Sequence, residues 1–160
     1  MFPISHFNIT RTPFYYYDKT LLSNTLAKLI RLAGERNYHV HYAVKANANP
    51  EILKLIAASG IGADCVSGGE IKAALEAGFP AKKIVFAGVG KADWEIEYAL
   101  EKKIFCFNVE SAEELSAIEE LAKKKENIAS IALRINPNID AHTHEYITTG
   151  LSENKFGIPI

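Results

Sequence analysis

The sequence predicts an α/β fold built on a parallel sheet, and three observations predict it. Short runs rich in Val, Ile, Phe and Tyr alternate with longer stretches whose apolar residues recur three or four apart. The starts of those short runs recur about every 22 residues, the length of one strand–helix unit. Cap and turn residues fall at the borders between the two patterns. The bulk numbers agree: 160 residues suffice for one domain with a sizeable core, and 48% hydrophobic with 23% charged residues is ordinary for a globular protein.

Taken in order, TPFYYYD at 12–18 reads as a strand because of its aromatics. A helix is expected over about 19–36, with Asp18 or Thr20 as its cap. The first strand of the repeating units is 39–44 (HVHYAV), followed by a helix over 50–59 whose first turn suits Pro50. Strand 61–66 (IGADCV) leads to helix 68–77, and strand 83–87 (KIVFA) to helix 91–101. Strand 104–108 (IFCFN) leads to helix 111–126, where Ser111 and Glu114 form a capping-box pattern. A fifth strand is expected over 129–135. Gly60 and Gly78 follow the last periodic residues of their helices, as helix-ending glycines do. The lysine run 123–125 sits beside Glu119, Glu120 and Glu126 and reads as a solvated helix face. The polar stretch NPNIDAHTHEYITTGLSENKFG then shows little periodicity, and loops of that length are usually functional or disordered.

Four strand–helix units and a fifth strand, joined by short right-handed crossovers, leave two architectures: a doubly wound open sheet or a (β/α)8 barrel. No GxGxxG follows the first strand, and GVGK at 88–91 lacks the spacing of a phosphate loop. Five strands make an incomplete barrel with unpaired edges at the first and fifth. The sequence stops at KFGIPI, which looks like the start of a further strand, so a longer protein is expected. Cys65 and Cys106 lie in apolar runs and are expected to be buried free thiols. The net charge of -1 gives no basic face for nucleic acid or an anionic membrane. No apolar stretch is long enough to span a bilayer, and MFPISHFNITRTPF lacks the pattern of a secretory signal, so a cytoplasmic location is expected.

The first candidate for chemistry is Lys45, in HYAVKANANP at the C-terminal end of the first strand. In a (β/α)8 barrel that end is the active-site face, and a partly desolvated lysine there is a usable amine nucleophile. On position alone, a strand-end lysine reaching into water is the better account; its neighbours alter that. Asp64 ends the second strand on the same face and either lies near Lys45 or caps the following turn. Glu70 falls in a first helical turn, where an acid is favourable, and reads as structural. Arg134 ends the fifth strand and either meets an oxyanion, which a guanidinium suits, or pairs within the barrel. His142 and His144, even with Asp140 nearby, lack the partners of a metal site, and no metal is expected. With Tyr146, Thr148, Thr149 and Gly150 they suit a segment that closes over a substrate. His39 and His41 alternate with apolar residues and read as structural.

At these residues the sequence resembles a known family. HYAVKANANP looks like the lysine motif of the fold-type III decarboxylases that use pyridoxal 5'-phosphate (PLP). IGADCVSGGEI at 61–71 resembles that family's second motif, in the same order and at the same separation. ALRINPNIDAHTHEYITTGLSENKFGI at 132–158 is similar to the diaminopimelate decarboxylase subgroup, the run D-A-x-T-H-x-Y-I-x-T-G and the closing K-F-G being most discriminating. TPFYYYD matches the family's start, so the resemblance covers essentially the whole chain.

The resemblance implies an alanine-racemase-like PLP-binding (β/α)8 barrel, partial here over 19–160, and an extended segment over 1–18. Residues 12–17 would pair with a C-terminal β domain absent from this sequence. It implies Lys45 as the catalytic lysine that carries the cofactor, with Asp64 and Arg134 on the cofactor side. His144, Tyr146 and Thr149 would belong to a substrate loop. The implied reaction converts meso-2,6-diaminopimelate, a small amino acid, to L-lysine and CO2, the last step of lysine biosynthesis. Family members are homodimers with active sites shared between subunits; no nucleic-acid or membrane partner is implied. Decarboxylases of ornithine, arginine or carboxynorspermidine stand as alternatives, as does a non-catalytic PLP-binding homologue; a doubly wound binding domain matching by chance is a further one. The family's later motifs are not present: the stacking histidine, the glycine-rich phosphate cradle, the acid for the pyridine nitrogen, and the C-terminal cysteine and tyrosine. These 160 residues alone are therefore expected to be inactive.

Overall fold

Short polar side chains set the borders of the helices. The computed structural model describes residues 3–137 and 156–159. A single turn, α1 (Ile4–Phe7), precedes α2 (Lys19–Gly34), and Asp18 caps α2 by accepting the Leu21 N–H at 2.9 Å. After β1 (His41–Ala43), a 3-10 turn over Val44–Ala46 leads to α3 (Pro50–Ala58). Asn49 caps α3 by accepting the N–H groups of Glu51 and Ile52, with Pro50 at the first position. The repeat continues with β2 (Gly62–Cys65), α4 (Gly68–Glu76), β3 (Ile84–Phe86), α5 (Asp93–Lys102), β4 (Cys106–Val109), α6 (Ala112–Lys124) and β5 (Ile131–Leu133). Two short strands, β6 (Ile135–Asn136) and β7 (Ile158–Pro159), pair with each other. Gly60 and Gly78, at φ +86° and +98°, end α3 and α4 as their positions predict.

The five main strands are all parallel and lie in the order β1-β2-β3-β4-β5. Spatial order equal to chain order decides between the two architectures. A doubly wound sheet reverses direction at a switch point, whereas a barrel adds each unit on the same side of the last. The sheet is an arc of a (β/α)8 barrel with the helices on its outer face. Ala63, Cys65, Ile84, Phe86, Phe107 and Val109 are buried against Ile56, Ile71, Ile96, Ala99 and Ile118. Burial raises both thiols above the ordinary cysteine range, Cys65 to about 12, with Glu70 and Asp64 adding to the Cys65 shift. Both cysteines are free and inert.

Two expectations are corrected, both in strand bounds. Residues 12–18, expected to pair with a domain outside this sequence, have no strand partner among the described residues. Their aromatics pack on one another and on α1 instead, with Phe7 meeting Phe14 at 5.4 Å and Tyr16 at 5.1 Å, and Tyr15 is 89% exposed. The fifth strand, expected as one run over 129–135, breaks at Arg134. The backbone there changes partners, from the β4 side to Ile158. β4 begins at Cys106 rather than 104, because Lys103 takes a left-handed conformation (φ 53°) that turns the chain out of α5. Among the described residues, the outer edges of β1 and β5 have no strand partner, and Ile131 and Leu133 of β5 are 40% and 49% exposed.

Gly62 opens β2 where no side chain fits: a Cβ would lie 2.5 Å from both the Lys83 carbonyl and His41 Nδ1. Gly62→Ala is therefore expected to destabilise the protein by about 2 kcal/mol, the cost of overpacking. Gly34→Ala, where nothing lies within 4 Å, is expected to cost nothing. Urea midpoints of the two variants check the contrast, and equal midpoints would refute it.

Candidate functional site

The turn that carries Lys45 is built by its neighbours. Val44, fully buried, anchors it in the core. Asn47 Oδ1 accepts the Asn49 N–H at 2.9 Å, and Tyr42 Oη donates to the Asn47 carbonyl at 3.2 Å. Asn47 Nδ2 donates to Tyr17 Oη at 3.0 Å, tying the N-terminal aromatic segment to this turn. The asparagines of KANANP therefore shape a turn and start α3, which leaves Lys45 at the C-terminal end of the sheet.

A cleft of about 590 Å³ opens there, lined in part by Lys45, Asp64, Asn108, Glu110, Arg134 and Phe156. The strand period explains the membership. Ala63, Cys65, Phe107 and Val109 face the helices, so Asp64, Val66, Asn108 and Glu110 face the other way. A second cavity of about 430 Å³ lies at the N-terminal ends of β1 and β2, beside His41, Gly62 and Lys83, and holds none of the expected site residues.

Asp64 shares the cleft wall with Lys45. Its Oδ1 is buried without a hydrogen-bond partner, and burial raises its carboxyl above the ordinary aspartate range, partly offset by the charges of Lys45 and His41. It does not cap the following turn; Ser67 does, accepting the Glu70 N–H at 3.2 Å, while Glu70 accepts the Val66 N–H at 2.8 Å. Arg134 both lines the cleft and pairs within the sheet, its Nη1 donating to Glu110 Oε2 at 2.8 Å.

Lys45, Asp64 and Arg134 thus meet at one cleft. Lys45 corrects one expectation: it is exposed rather than partly desolvated, because it rides a 3-10 turn beyond β1 at the open side of the cleft. His144, Tyr146 and Thr149, with His142, lie outside the described residues. Among the described residues no three metal-ligating side chains cluster, and no helix is long and apolar enough to cross a membrane. Two residues escape the sequence reading. Counting by twos from Cys106, level with Asp64 across β3, reaches Asn108 and then Glu110, just past the end of β4. Lys91 has no such signal. Its ammonium is buried, donating to the carbonyls of Gly88 (2.6 Å) and Asn108 (2.9 Å) and to Glu114 Oε1 (2.6 Å).

An exposed amine, a carboxylate and a guanidinium around one cleft suit an anionic ligand that reacts with amines. Residues 23–160 match the family described as pyridoxal-dependent decarboxylase, pyridoxal binding domain. A diaminopimelate decarboxylase of Bacteroides thetaiotaomicron is 63% identical over 99% of this chain and 41% of its own length. Diaminopimelate decarboxylase from Helicobacter pylori, solved in complex with L-lysine, superposes with TM-score 0.84 at 47% identity over 98% of this chain and 40% of that one. The enzyme from M. jannaschii superposes with TM-score 0.90 at 40% identity, over 99% of this chain and 38% of that one. The chain spans about two fifths of the length of these relatives.

The environment of Asp64 sets a pH dependence. An acid whose carboxyl is raised by folding binds its proton more tightly folded than unfolded. Stability therefore falls as pH climbs from the ordinary aspartate value through Asp64's own. Asp64→Asn removes that loss and is expected to raise the stability of the ligand-free protein at pH 7. The gain should vanish below the ordinary aspartate range. Urea midpoints across pH read it, and a variant less stable than wild type at pH 7 would refute it.

Proposed function

The chain belongs to the pyridoxal-dependent decarboxylases, and from that premise we propose that it is the cofactor-binding part of a diaminopimelate decarboxylase, converting meso-2,6-diaminopimelate to L-lysine and CO2. The observation that carries the reading is the convergence of Lys45, Asp64 and Arg134 on one cleft at the C-terminal ends of the strands. The names of the relatives, up to 63% identical, support the substrate.

The residues present fit the cofactor. Lys45 supplies an accessible amine for its aldehyde carbon, and Arg134 supplies donors for its anionic oxygens. Asp64 supplies a carboxyl on the wall of the same cleft. When bound, the cofactor supplies a pyridine ring that accepts the electron pair left as the α-carboxylate departs as CO2. Lys45 Nζ would hold the cofactor covalently and yield its place to the substrate amine. Asp64 lies close enough to feel the Lys45 charge and favours a cation beside it. Residues 1–18 form, in this reading, an extended segment of which residues 12–17 pair with a C-terminal β domain. The segment holding His144, Tyr146 and Thr149 closes over the substrate. A cytoplasmic homodimer completes the proposal, supported by the family resemblance.

Full-length protein incubated with PLP and reduced with borohydride should carry a phosphopyridoxyl group on Lys45, found by peptide mass mapping. It should release CO2 from meso-diaminopimelate in preference to ornithine or arginine. Lys45→Ala should lose both the label and the activity below detection. Label scattered over surface lysines would sink the cofactor reading, and CO2 from ornithine or arginine alone would sink the substrate.

A further inference from the structure

Arg134 is fixed at every side. Its N–H donates to the Val109 carbonyl at 2.9 Å, and its own carbonyl accepts the Ile158 N–H at 2.8 Å. Gly157, at φ +119°, packs so closely that a Cβ there would lie 3.1 Å from the Arg134 carbonyl oxygen. The side chain is held through Nη1 by Glu110 Oε2 at 2.8 Å.

Glu110 is itself held from behind. Its side chain is 4% exposed, its N–H donates to Glu114 Oε2 at 3.1 Å, and the Gly88 N–H approaches its Oε1 at 3.4 Å. The other oxygen of Glu114 takes the Lys91 ammonium at 2.6 Å, and that ammonium also grips the Gly88 and Asn108 carbonyls. The contacts run Lys91–Glu114–Glu110–Arg134 across the ends of β3, β4 and β5, two carboxylates flanked by two cations, with the middle link made through the Glu110 N–H. With the charges balanced, Arg134 needs no ligand to neutralise it, and its geometry is set before a ligand arrives.

We propose that Glu110 is a positioning residue: it presents the Arg134 guanidinium to the cofactor, on the rigid base formed by Lys91 and Glu114. This rests on the reading that the cleft holds PLP against Arg134. A pre-set guanidinium loses little freedom on binding, which favours affinity. The rival role, a mere counter-charge, gives the opposite sign, because removing it would leave Arg134 more attractive to an anionic ligand.

The test uses the full-length protein, freed of cofactor and titrated with PLP, with the unfolding midpoint of the cofactor-free form measured alongside. Glu110→Gln keeps the reach and loses the charge; Glu110→Asp keeps the charge and shortens the reach. Both are expected to weaken PLP binding roughly 10-fold, with the cofactor-free midpoint little changed, since the charge-assisted bond is the stronger kind and depends on reach. In an Arg134→Gln background neither should weaken binding further. Binding that is unchanged or tighter in both variants, an equal loss without Arg134, or failure of both variants to fold would each overturn the proposal. If wild type binds PLP while the variants match it, only the role of Glu110 falls. If wild type takes up no PLP, the cofactor reading falls with it.

Discussion

Alternation along parallel strands in fixed register decides which residues meet the helices and which meet the cleft. Cys65, Phe86 and Phe107 stand level across three strands and are fully buried or nearly so. One residue away in β2, Asp64 stands on the opposite face. A slip of one residue would turn the Asp64 carboxylate into the core in β2, and the Phe86 or Phe107 ring out of it in β3 or β4. Burying the core therefore places the polar groups of the site. At about 25 cal/mol per Å² of apolar surface, the outer face holds the inner one in register.

Above the strands, glutamates at the third helical position carry the same order into the rim. Glu70, Glu95 and Glu114 each reach back to a backbone N–H before their helix, at Val66, Ala92 and Glu110. Glu95 does more, its second oxygen accepting the Gly68 N–H at 2.6 Å and so joining the start of α5 to the start of α4. The helix starts are thus linked laterally as well as to their own strands, and the cleft is rimmed by backbone with few free donors.

Much of this is legible in the sequence. The repeating units, the helix starts marked by Asp18, Pro50 and Ser111, and the meeting of Lys45, Asp64 and Arg134 at one end of the sheet follow from local pattern and from strand direction. What pattern does not reveal is where a side chain finds partners distant in sequence. Lys91 opens the helix expected over 91–101, yet it precedes the observed helix and is buried because two carbonyls and a carboxylate converge on it. The break at Arg134 is hidden for a similar reason: the residues on either side are strand formers, and only the arrival of Ile158 divides them. The aromatics at 14–17 have strand character without a strand to join among the described residues.

Because spatial order follows chain order, each strand pairs with one made roughly 22 residues earlier. The entropy of closing such a loop is small and much the same for every unit. No pairing must reach further along the chain than one unit, and the arc can lengthen one unit at a time in the direction of synthesis. Each newly emerged strand finds its template already standing, with Ile131 and Leu133 presenting an apolar edge to whatever comes next off the ribosome.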